Sequence, residues 1–158
     1  MGVVTALMVA IGAPLPVSAA FKDGLRAYDA GDYATAAREW RKLAAACDPR
    51  AVIGLAGLYR DGLGVPRDER LAFRWYSLAA EAGEPTAQAT LGERYAEGRD
   101  VARDLVQAYF WFGLAARQGK TWVAERIKGL DRTMTPNERN EAQALIASFR
   151  LTKRKHCE

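Results

Sequence analysis

The chain has 158 residues and a formal net charge of +4, with one histidine and two cysteines. That histidine, His156, stands beside Cys157 near the chain end, where it makes no positioned base and nucleophile, and no Cys/His spacing suits a metal ion; neither catalytic residues nor metal ligands are assigned, and no cofactor is expected. Arg150, Lys153, Arg154 and Lys155 against Glu158 supply three of the four net charges, so the remainder is almost neutral and a nucleic-acid partner, which would want a basic folded face, is not expected.

Met1 to Phe21 carries no charged side chain, and Val3 to Val17 is an apolar run interrupted by Pro14 and Pro16. Val17-Ser18-Ala19 offers small residues where a signal peptidase reads, so residues 1–19 are expected to be a secretory signal, cut after Ala19 or Ala20. No Lys or Arg precedes the run, which a start codon placed too far downstream would explain. A retained membrane anchor is the alternative, although the run falls short of the roughly 20 apolar residues of a comfortable span.

Residues 20–150 read as one helical solenoid. In its degenerate first unit, 21–50, Phe21, Leu25 and Tyr28 have helical spacing, Ala30-Gly31-Asp32-Tyr33 makes a tight turn, and Ala36, Trp40, Leu43 and Ala44 form the next apolar face. Cys47 ends this unit where a left-handed backbone is expected. Two cysteines in an exported chain invite a bridge between Cys47 and Cys157, which only a flexible tail would bring together.

Two full units follow, 51–86 and 87–122. At an offset of thirty-six residues, Ala51, Leu55, Tyr59, Gly62, Val65, Asp68, Ala72, Trp75, Leu78, Ala79, Ala80 and Gly83 recur as Ala87, Leu91, Tyr95, Gly98, Val101, Asp104, Ala108, Trp111, Leu114, Ala115, Ala116 and Gly119, and Tyr76 recurs as Phe112. Ala51, Leu55 and Tyr59 stack on one helix face, and Ala72, Trp75, Ala79 and Ala80 trace a second, so each unit is a helical hairpin. Gly62 and Gly98 suit the left-handed end of the first helix, and Asp68 and Asp104 the N-cap of the second. The second loop has Asp100 and Ala102 where the first has Gly64 and Pro66, so it keeps its ends and loses stiffness. A lone hairpin cannot bury both apolar faces, which requires neighbours stacked in a row.

The run Tyr109-Phe110-Trp111-Phe112 fans around a helix and cannot face one neighbour. Phe110 replaces Arg74 of the previous unit, and reads either as a contact for a capping helix or as an exposed aromatic at a partner site. A half unit, Trp122 to Leu130, precedes a capping box at Thr135-Pro136-Asn137-Glu138, after which Ala142, Leu145, Ile146 and Phe149 form one stripe of a terminal helix; half unit and capping helix fill 122–150. Residues 151–158 read as a basic disordered tail, whose alternative role is weak attraction to anionic envelope surfaces and not specific membrane binding.

The pattern A-x3-L-x3-Y-x2-G-x-G-V-x2-D-x3-A-x2-W-Y-x-L-A-A-x2-G, spelled by Ala51 to Gly83, resembles the Sel1-like repeat, a relative of the tetratricopeptide repeat with a longer loop. The resemblance covers the two full units closely and the flanks loosely. It implies an all-α protein, an α-α superhelix, and a small exported bacterial chain, periplasmic or secreted, whose role is to hold another protein. Some cysteine-rich members suggest a cell-wall or β-lactam-related activity as the alternative. Those carry paired cysteines in successive repeats, which this chain does not, and no Ser-x-x-Lys occurs.

Binding is expected on the row of first-helix positions between the repeated ones: Gly54, Gly57, Leu58 and Asp61, then Thr90, Glu93, Arg94 and Glu97. In stacked hairpins this row lines the concave surface, and unlike the packing positions it varies between the units. The alternative is a solvated row in which Glu93 and Glu97 flank Arg94. The expectation is thus a monomeric, non-catalytic interaction scaffold.

Overall fold

The computed structural model describes residues 17–150. Among the described residues there are eight α-helices and no strand: α1 (Val17–Asp29), α2 (Tyr33–Ala45), α3 (Pro49–Asp61), α4 (Glu69–Glu81), α5 (Pro85–Glu97), α6 (Leu105–Arg117), α7 (Val123–Asp131) and α8 (Pro136–Ser148). α1 runs through Ala19 and Ala20, while the rest of the expected signal segment and the basic tail lie outside the described residues. No described helix is long and apolar enough to cross a membrane.

The repeat period recurs in the helix starts. Asp32, Asp68 and Asp104 each cap a second helix, their carboxylates accepting from the backbone N–H of Thr35, Leu71 and Gln107 at 3.1, 2.8 and 2.9 Å. Each removes one of the donors that a helix start leaves unpaired. The first helices are also capped by carboxylates, Asp48 and Glu84, and add a proline in the first turn, Pro49 and Pro85, whose missing N–H costs nothing there. Helix ends repeat too: Gly62 and Gly98 have φ of +68° and +69°, and Cys47, Gly83 and Gly119 have +59°, +95° and +89°. Cys47 therefore adopts the expected left-handed backbone, and it is disulfide-bonded. Cys157, the partner considered from sequence, lies outside the described residues.

Each helix packs on its sequence neighbours from α1 through α7, and α8 returns to pack on α6. One core cluster holds Ala36, Trp40 and Ala44 of α2, Leu55 and Leu58 of α3, Tyr76 and Ala80 of α4, Leu91 of α5, and Phe110, Trp111 and Leu114 of α6. A second holds Ala108, Phe112 and Ala115 of α6 with Val123, Leu130, Met134 and Ala142. α6 thus belongs to both clusters, which explains its run of four aromatics. In α4 the roles differ from expectation: Tyr76 is the buried ring and Trp75 is half-buried, because Trp75 lies about 100° away around the helix.

Candidate partner-binding face

The first-helix row splits into buried and open positions. Leu58 is fully buried and Arg94 is 3% exposed, so neither offers its side chain to a partner as the sequence pattern suggested. Leu58 belongs to the main core cluster, and Arg94 turns toward the preceding helix, α4, where it meets Tyr76 and Glu69. Asp61 and Glu97 are exposed at the helix ends, while Thr90 and Glu93 are half-exposed. The Thr90 hydroxyl donates to the Thr86 carbonyl at 2.9 Å, and Glu93 accepts from Arg126 of α7 at 3.2 Å. Glu93 thereby helps to tie the terminal half unit onto α5.

Phe110 is also corrected as an exposed site: it is 8% exposed, 4.7 Å from the Trp111 ring and 5.6 Å from that of Phe149, both edge-on. It is the capping contact. The repeat residues sit where the packing needs them. Tyr59 accepts a hydrogen bond from Arg41 of the preceding unit at 3.1 Å, and Tyr95 meets Phe73 edge-on at 6.1 Å.

Of the open positions, Asp61 lines a charged cleft of about 460 Å³ between the two full units, together with Arg60, Arg67, Glu69, Arg94 and Arg99. The end of α3 supplies Arg60 and Asp61, the following loop supplies Arg67, α4 opens with Glu69, α5 contributes Arg94, and its loop contributes Arg99. At the floor, the Arg94 guanidinium lies 5.5 Å from the Tyr76 ring centroid, bonds Asp100, and donates to Glu69 at 3.3 Å. At the rim the pairs are local: Arg60 with Asp61 at 2.6 Å, Arg67 with Glu69 at 2.6 Å, and Arg99 with Glu97 at 2.5 Å.

These contacts set the charge states. Arg67, then Arg94, hold the Glu69 carboxyl below its ordinary range against the opposing effect of burial, and Arg60 does the same for Asp61. Burial pushes the Tyr76 phenol up. Both carboxylates therefore stay ionised at neutral pH and the cleft is a mosaic of fixed charges.

Sequence reasoning singled out Asp61 and Arg94 of this cleft and missed Arg60, Arg67, Glu69 and Arg99. The signal that marks the place is a coupled exchange between units: Leu58 becomes Arg94, and Gly64 becomes Asp100. Gly64 has φ +66° and approaches the backbone of α2 so closely that a Cβ would lie 2.3 Å from the Tyr33 carbonyl carbon. Asp100 takes the same left-handed backbone, φ +64°, and its carboxylate engages the buried guanidinium.

A Sel1 repeat family model matches residues 49–84 and 85–120. Among solved structures, the chain is similar to a Sel1 repeat protein from Oxalobacter formigenes, with 39% identity and a TM-score of 0.65 over 72% of this chain and 88% of that one. It is also similar to a protective antigen of uropathogenic Escherichia coli displaying an SLR fold, at 29% identity and a TM-score of 0.78 over 85% of this chain. The chain spans only 30% of that antigen's length. No curated protein matches it.

Proposed function

Given that the chain belongs to the Sel1 repeat family, whose members generally serve as protein–protein interaction scaffolds, we propose that it is a non-catalytic adaptor of the cell envelope that holds a segment of another protein along the inner row of its first helices. The observation that carries this reading is the open cleft where that row ends, at Asp61 and beside Glu97. A stack of hairpins offers an extended surface along which a peptide or helix can lie. A groove this short favours micromolar affinity, set by the quality of a few contacts and not by area.

A photo-crosslinking residue at Glu97, with a control at Arg74 on the outer side of α4, tests the reading in the native envelope fraction. The expected result is a protein adduct from the Glu97 probe alone. Equal adducts from both positions, or none from either, would remove the row's special status.

A further inference from the structure

We propose that the cleft between the two full units recognises an acidic peptide segment, whose carboxylates are taken by the guanidinium groups of Arg67 and Arg99. This deepens the adaptor reading and rests on it. Four guanidiniums and two carboxylates line the cleft, and Asp100 and Glu97 pair with Arg94 and Arg99 beside it, so its charge is balanced and its spare capacity lies in unused N–H donors. Arg94 is fixed at the floor, committed to Asp100 and Glu69 with its side chain only 4% exposed. The rim arginines differ. The side chains of Arg67 and Arg99 are 69% and 63% exposed, and each pairs with a carboxylate two residues away, whereas Arg60 is held by both oxygens of Asp61 and by the Tyr76 hydroxyl. Such exposed neighbour pairs contribute little and exchange readily for a better-placed partner.

Donors remain available at the rim. Arg67 directs both Nε and Nη2 at one oxygen of Glu69, and Arg99 donates from Nη2 alone. A guanidinium has five N–H donors in a fixed fork, and a bidentate carboxylate uses two of them. An incoming side-chain carboxylate can therefore bond Arg67 or Arg99 without first breaking their existing bonds.

Packing alone does not require this charge. At the corresponding place in the first full unit, Leu58 fills the space and Gly64 closes the loop directly onto α2. The second unit substitutes a buried arginine and a left-handed aspartate, each of which costs stability compared with leucine and glycine. The cleft lies at this exchanged junction.

The remaining carboxylates select among anions. Asp61 and Glu69 within the cleft, with Glu97 at its rim and Asp100 on Arg94, repel a dense polyanion such as polyphosphate. They accept hydrogen bonds from the backbone N–H groups of a peptide whose own carboxylates are spaced apart.

The test uses the full chain and a fluorescein-labelled peptide alternating glutamate and glycine, read by fluorescence anisotropy at low salt, with a lysine–glycine peptide as control. Binding of the acidic peptide alone is expected, weakened about tenfold in the Arg67→Gln, Arg99→Gln double variant with an unchanged melting temperature, since both side chains are exposed. A variant with Lys153→Gln, Arg154→Gln and Lys155→Gln should bind as the parent does. Equal binding by the parent and the double variant, loss of binding through the tail variant alone, or stronger competition by inorganic polyphosphate than by the unlabelled peptide would each overturn the proposal. A selective Glu97 crosslink together with any of those results would leave the adaptor standing and reject only its acidic ligand.

Discussion

At the scale of single residues, the Leu58–Gly64 pair and its counterpart Arg94–Asp100 show one backbone solved in two chemistries. Hydrophobic burial needs no partner, whereas a buried guanidinium needs both desolvation and geometry to be offset by carboxylates. Asp100→Asn keeps a residue that tolerates the left-handed backbone while removing the charge that Arg94 faces. It should destabilise the fold by about 2–3 kcal/mol, less than for a fully buried pair because Asp100 retains some exposure. The double variant Arg94→Leu, Asp100→Gly, which restores the first unit's solution, should recover most of that loss. Urea titrations of the parent, Asp100→Asn, Arg94→Leu, Asp100→Gly and the double variant check this; losses of Arg94→Leu and Asp100→Gly that add in the double variant would mean that the two residues are not coupled.

At the scale of the helix, capping explains why the units start where they do. Asp68 and Asp104 occupy equivalent positions and make equivalent bonds, to Leu71 and Gln107. Alanine at either should cost about 1 kcal/mol, and the two costs should add because the caps lie on different helices. Chemical denaturation of the single and double variants measures it, and a cost near zero at both would remove the caps as determinants of the repeat. Helices, loops and caps were legible in the sequence because each is a local property: spacing on one face, an αL glycine, a proline that gives up no bond. The roles of Trp75 and Tyr76 were not, because they are adjacent in sequence and either ring satisfies the same helical stripe. Which one is buried depends on the angle at which α4 meets its neighbours.

For the whole molecule, the decisive feature is how the stack ends. α8 does not continue the row but returns to α6, where Phe149 lies 5.6 Å from Phe110 and 6.1 Å from Trp111. These aromatic contacts close the last apolar face, which in an open solenoid would remain exposed. Phe149→Ala should lower stability by about 2 kcal/mol and increase dye binding to apolar surface, whereas Phe21→Ala, at the other end of the stack, should leave the α6–α8 contact unchanged. Thermal melts with tryptophan fluorescence, to which Trp111 contributes, report the loss; an unaltered melt for Phe149→Ala would show that α8 is not a structural cap.

Sequence alone determined the repeat, the hairpin, the loop ends and the terminal capping helix, because a period of thirty-six residues imposes the same local physics at each copy. It also placed Asp61 and Arg94 in one row. Whether a member of that row meets solvent or core depends on how closely neighbouring hairpins approach, a distance between residues far apart in the chain. Tertiary packing therefore buried Leu58, Arg94 and Phe110, and it drew Arg60, Arg67, Glu69 and Arg99 from separate loops and helix ends into one cleft. Local periodicity specifies the face of a helix; only the contact between helices specifies what that face meets.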